Sequence, residues 1–220
     1  MATVFIIGDP GSGKTSSLQT MDRNTTGIIN VLGKDFPFRG GFSHEYRGNN
    51  LQQIGQTLKT WIDSGEVKNI VLDDIGYVMT CIFMAKHRNM KGNQSFELYN
   101  DIADAMWNLV NFCKGFPRDI NTYFMFHEST NDYGVTKIKT IGKLLDDKVL
   151  LDGMVTVVLR CMSKDGKHFV RTVTDGSDCV KAPMGLFAEE EIPNDLKLID
   201  DCIRDFYGTQ INKQEETQNA

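Results

Sequence analysis

A short apolar, β-branched run, Thr3 to Ile7, leads directly into Gly8-Asp9-Pro10-Gly11-Ser12-Gly13-Lys14-Thr15, and no other stretch constrains the fold as tightly. The run reads as a strand, and Ser16 to Met21 can open a helix. Between them the loop fits G-x-x-x-x-G-K-[ST] without a gap. Such a loop turns successive backbone N–H groups toward a phosphate, and the helix start adds its positive dipole end. Gly8, Gly11 and Gly13 permit backbone angles and close approach that a Cβ would forbid. The pattern predicts that Gly8 through Ser16 cradle a nucleoside triphosphate, ATP with Mg²⁺. Lys14 would reach the β- and γ-phosphates, and the Thr15 hydroxyl would ligate the metal. A glycine-rich turn with a chance lysine is the bland alternative, and the flanking strand and helix argue against it.

With 220 residues, 40% of them apolar and 24% charged, the chain suits one soluble α/β domain with a substantial core. The net charge of −5 denies it a basic global field, so nucleic acid could be held only by local basic clusters. The five cysteines have no C-x-x-C pair and no metal-ligand rhythm. They read mainly as small core residues of a reducing compartment. No apolar stretch approaches the length of a membrane span, and the first strand starts without a signal peptide before it. The expectation is a soluble intracellular protein with no membrane partner.

Apolar runs alternate with helical patterns along the chain, as in a parallel sheet covered by helices. Gly27 to Leu32, Asn69 to Asp73 and Ile120 to His127 are further expected strands. Asn50 should cap a helix ending at Gly65, and Ser95 to Lys114 should form a long amphipathic helix. Met154–Arg160 and His168–Thr174 pair as a hairpin across Asp165-Gly166, a strong turn signal. Asn194 is expected to cap a last helix ending at Gly208, and residues 209–220 read as a disordered tail. A single domain, residues 1–208, is the economical division.

A phosphate loop needs a carboxylate at a neighbouring strand end to support Mg²⁺. Ile70-Val71-Leu72-Asp73-Asp74 supplies it, with Asp73 on the metal side. Asp74 could orient or deprotonate the attacking water, or equally cap the next turn. The fourth strand ends in His127-Glu128-Ser129-Thr130 at the same sheet edge. His127 could touch the γ-phosphate or the water, against the plain alternative of a satisfied strand-end histidine. Glu128 rivals Asp74 as the water-orienting acid. Two segments leaving this edge are basic: residues 84–95 with Lys86, His87, Arg88 and Lys91, and residues 129–148 with Lys137, Lys139, Lys143 and Lys148 beside Tyr133. Such segments could track a phosphate backbone and stack a base, or be merely solvated.

In this order the segments GDPGSGKT (8–15), INVLGKDFPFRG (29–40), IVLDDI (70–75), FHEST (126–130) and TDGSDCVKAPMGLF (174–187) resemble a RecA-type core. More narrowly, the chain looks like the small single-domain P-loop ATPases of bacteriophages, of the AAA family and related to phage single-strand annealing recombinases. The resemblance implies an α/β fold: a RecA-like P-loop NTPase core, with a mostly parallel sheet flanked by helices and a C-terminal β-hairpin. It implies a homo-oligomer, ring or filament, in which Lys181, or second Arg171, reaches a neighbour's γ-phosphate as a cationic finger. It also implies single-stranded DNA at the two basic segments, with a single-strand binding protein as a further candidate partner. The setting would be the cytoplasm of an infected bacterium. RecA has a glutamate near the end of the second strand, whereas this chain has Gly33-Lys34-Asp35.

The leading expectation is therefore an oligomeric, DNA-stimulated ATPase that anneals or exchanges strands in recombination. A helicase-loader or packaging-type ATPase, a small-molecule kinase and an NTP-binding module without turnover are the competing readings. No arginine-rich lid segment favours the kinase.

Overall fold

A computed structural model describes residues 2–89, 94–141 and 149–208. The predicted first strand is β1 (Thr3–Gly8), followed after the glycine-rich loop by a 3₁₀ turn at Thr15–Thr20. Then come β2 (Thr26–Asn30), β3 (His44–Arg47), α1 (Leu51–Ser64), β4 (Asn69–Asp73), α2 (Tyr77–Lys86) and α3 (Gln94–Lys114). The second half contains β5 (Asn121–Thr130), β6 (Thr136–Ile138), β7 (Val157–Lys164), β8 (Lys167–Arg171), β9 (Glu191–Pro193) and α4 (Leu196–Phe206).

Among the described residues, nine strands form one mostly parallel sheet in the order β3-β2-β4-β5-β1-β7-β8-β9, with β6 added antiparallel to the end of β5. All pairings from β3 to β7 are parallel, and β8 and β9 continue antiparallel. The central strands are near-continuous apolar runs because helices or loops cover both faces. Side chains alternate accordingly. Phe5 and Ile7 pack with α1, α2 and α3, while Val4 and Ile6 pack with Leu18, Phe42 and the Leu196, Ile199 and Ile203 face of α4. On the first face Phe5 meets Phe126 edge-on, with ring centroids 5.2 Å apart. Gly27 lies so close to Trp61 that a Cβ there would fall 2.6 Å from the indole, so only glycine fits.

Local signals explain most ends. The Asn50 side chain accepts from the Gln53 N–H at the start of α1, and Gly65 closes the helix in a left-handed conformation at φ 72°. Asp165 and Gly166 both have positive φ, at 52° and 74°, and join β7 to β8 as the sequence predicts. The last helix starts one residue later than expected. Asp195, not Asn194, accepts from the N–H groups of Lys197 and Leu198. A buried polar network then clamps α4 to the sheet. Asp200 accepts from the Asn121 amide at 2.8 Å, the Tyr123 hydroxyl at 2.7 Å and the Arg204 guanidinium at 2.7 Å. Arg204 also donates to the Asn69 side chain and the Lys68 and Asp119 carbonyls.

Other boundaries shift. The expected strand from Met154 starts at Val157, after a 3₁₀ turn, and the expected His168–Thr174 strand runs from Lys167 to Arg171. The described part of residues 84–95 consists of the end of α2, a 3₁₀ turn at His87–Asn89 and the start of α3. Among the described residues no helix is long and apolar enough to cross a membrane. The proposed tail, residues 209–220, lies outside the described residues.

Candidate functional site

Parallel pairing brings the C-terminal ends of β1, β4 and β5 to one edge of the sheet. Gly8 sits beside His127, and Asp73 beside Asn30. At this edge a cavity of about 300 Å³ is lined by Pro10, Gly11, Gly13, Lys14, Thr15, Ser16, Lys34, Asp35, Pro37, Asp73, Asp74, His127 and His168. Six residues of the predicted cradle are therefore gathered with Asp73, Asp74 and His127. Gly8 and Asp9 contribute their carbonyls, which accept from Lys14 Nζ at 2.7 and 3.0 Å. Ser12 Oγ is buried without a hydrogen-bond partner.

Gly11 and Gly13 adopt φ values of 80° and 104°. A Cβ on Gly13 would also collide with Asn194 Nδ2 at 2.6 Å. That contact reveals a support which sequence reasoning missed. Asn194 Nδ2 donates to the Gly13 carbonyl at 2.8 Å, and the His168 ring lies 2.9 Å from the Ser12 carbonyl. The loop is thus held by the side chains of His168 on β8, which also lines the cavity, and of Asn194 just beyond β9. The following 3₁₀ turn has only six residues, so a helix macrodipole contributes less than the sequence suggests.

Lys14 is buried, and burial pushes its ammonium below its ordinary pKa. The Thr15 hydroxyl donates to Asp73 at 3.1 and 3.2 Å, joining loop and carboxylate directly. Burial first, and then neighbouring Asp74, push the Asp73 carboxyl up to about 6. Asp74, in the left-handed region at φ 56°, behaves oppositely. Burial would raise it, but His127 and Lys34 outweigh this and hold it at about 2. His127 Nε2 lies 3.2 Å from Asp74 Oδ1, and the Lys34 ammonium pairs with the other oxygen.

The remaining predicted residues lie elsewhere. Glu128 does not line the cavity. Both its oxygens accept from Arg160, at 2.7 and 2.9 Å, so it is occupied rather than poised over a water. Strand alternation explains this, since Glu128 points to the face opposite His127. Lys181 does not line the cavity within its own chain, and its backbone pairs with that of Val158. Arg171 is engaged by Asp175 at 2.8 Å and Asp178 at 3.3 Å. Lys86 pairs with Asp101 at 2.9 Å, and Arg88 is exposed. Lys137 and Lys139 are exposed on and just beyond β6, near the fully displayed ring of Tyr133. Lys91, Lys143 and Lys148 lie outside the described residues.

Thr15 and Asp73 offer hard oxygen donors of the kind Mg²⁺ takes, and Gly11 and Gly13 line the cavity with backbone alone. No protein-family model matches the chain, and no curated protein matches it at a significant level.

Proposed function

We propose that this chain is a P-loop nucleoside triphosphatase with a RecA-like core, acting as a homo-oligomer on single-stranded DNA in phage recombination. One observation carries the reading. A glycine loop with a buried lysine, a threonine hydroxyl bonded to a strand-end aspartate, and a second aspartate paired with histidine all meet in one cavity. The sheet order supports the RecA-like form, because β5 stands between the loop strand β1 and the carboxylate strand β4 and brings His127 between them.

Each residue then has a task. The loop backbone and Lys14 bind and orient the β- and γ-phosphates. Thr15 and Asp73 would hold Mg²⁺, which when bound neutralises charge on the terminal phosphates. Asp74, ionised at about 2, is too weak a base to take a proton at neutral pH, so it orients water with His127 behind it. Support for DNA comes from the exposed Lys137, Lys139 and Tyr133 on the hairpin that extends β5 beyond the cavity edge. That hairpin is where a backbone could be tracked and a base stacked. The homo-oligomer rests on the likeness to RecA-type cores, in which Lys181, which does not line the cavity of its own chain, would act on a neighbour's.

The test is nucleotide binding and hydrolysis, with and without single-stranded DNA, for the native chain and Lys14→Ala. Lys14→Ala should bind ATP at least about tenfold more weakly, since a charge-assisted contact is lost. Equal affinity overturns the P-loop reading. Hydrolysis that ignores DNA, with no DNA binding at low salt, transfers the protein to the loader or kinase class.

A further inference from the structure

Lys34 stands in the cavity wall with no task in the mechanism above. Its side chain is 57% exposed while its partner Asp74 is 5% exposed. An ion pair that open adds little to stability. Its backbone and that of its neighbours, by contrast, are tied down. The buried Asn30 side chain donates to the Lys34 carbonyl at 2.7 Å, and the Gly33 N–H donates to the Asn30 carbonyl at 3.2 Å. Arg47 spans the Gly33 carbonyl at 3.4 Å and the Asp35 carboxylate at 3.3 Å. Just downstream, Phe36 stacks on Phe38 at 5.2 Å, and the Arg23 guanidinium sits 4.7 Å over Phe38 and 4.5 Å over Phe42. An exposed cation is thus mounted on a stretch of backbone that Asn30 and Arg47 tie down.

Charge gives the reason. Asp73 and Asp74 place two carboxylates in a cavity read here as a polyphosphate site, where they would repel the ligand. Lys14 and Lys34 act on both carboxylates, but Asp73 has Thr15 and the proposed metal beside it, whereas Asp74 is paired directly with Lys34 and faces His127. An ammonium carries three donors, so pairing with Asp74 leaves others for a phosphate oxygen.

We propose that Lys34, from within the same chain, binds the terminal phosphate and makes the site prefer a nucleoside triphosphate to a diphosphate. This rests on the P-loop reading above. Lys34 sets a positive charge between the Asp74 carboxylate and such an anion, and it links the presence of that anion to the Leu32–Gly41 segment on which it rides.

The experiment measures affinities for ADP and for the β,γ-imido analogue of ATP, both with Mg²⁺, by calorimetry on the native chain, Lys34→Met and Lys34→Arg. Lys34→Met should bind the analogue about 10- to 100-fold more weakly, and ADP within about twofold of native. Lys34→Arg should keep most of the preference. Asn30→Ala, which frees the Lys34 backbone, should lose part of it. An unchanged ratio, or an equal loss for both nucleotides, overturns the proposal: equal loss would mean that Lys34 only secures Asp74 and its loop. Failure of the native chain to bind either nucleotide overturns the P-loop reading and this proposal together, whereas native binding with an unchanged ratio removes Lys34 alone.

Discussion

Replacing Asp73 by asparagine should make the ligand-free protein more stable at neutral pH while spoiling its proposed metal site. The Asp73 carboxyl is lifted from an ordinary 3.8 to about 6, by burial first and by Asp74 second, with Thr15, Lys34 and Lys14 opposing. The folded chain therefore holds this proton more tightly than the unfolded chain. That contribution is fully present below about pH 4 and is lost as the pH rises through about 6. At about 1.4 kcal/mol per pH unit of displacement, the ionised carboxylate costs about 3 kcal/mol at neutral pH. Asparagine keeps the shape and an acceptor for the Thr15 hydroxyl but carries no charge. Urea unfolding in the presence of a chelator, across about pH 4 to 7.5, is the assay. The advantage of the variant should be near zero at the acid end and grow to about 2–3 kcal/mol at the other. A variant no more stable than native at neutral pH, or a difference independent of pH, refutes the argument.

Two other outcomes are expected. Asp200→Ala strands the buried Arg204 guanidinium, the Tyr123 hydroxyl and the Asn121 amide, and should cost about 3–5 kcal/mol by thermal or urea unfolding. A loss under about 1 kcal/mol would show that the network relaxes onto water. Replacing Lys137 and Lys139 together with alanine should weaken binding to a poly-dT strand and reduce the salt slope by about 1.4. An unchanged slope would remove the hairpin from the proposed DNA path.

Elements that declared themselves through local chemistry were legible in the sequence. The β1 strand, the cap and stop of α1, the Asp165-Gly166 turn and the edge position of Asp73, Asp74 and His127 all follow from neighbours in the chain. What escaped depends on distant partners. The β3, β6 and β9 strands are short edge or near-edge pieces whose pairing is tertiary. Helix α2 follows Asp73 so closely that its apolar run blends with the strand before it. Asn194 looked like a helix cap because asparagine favours that role, but Asp195 beside it took the cap and left Asn194 for the glycine loop. Lys34 was visible only as the place where an acid was expected. The Glu128–Arg160 pair was hidden because it spans the end of β1 between strands far apart in the chain.

The supports of the glycine loop also set when the site can exist during synthesis. His168 and Asn194 reach Ser12 and Gly13 across 156 and 181 residues of chain. The central strand β1 likewise has both its neighbours, β5 and β7, in the second half of the sequence. A chain emerging from the ribosome exposes its glycine-rich loop first and gains the contacts that hold that loop last. Such distant closures make folding slow and leave apolar strands uncovered in the interval. The loop therefore reaches its supported form only once nearly all of the described length is available, and chains truncated before Asn194 should lack the nucleotide binding proposed above.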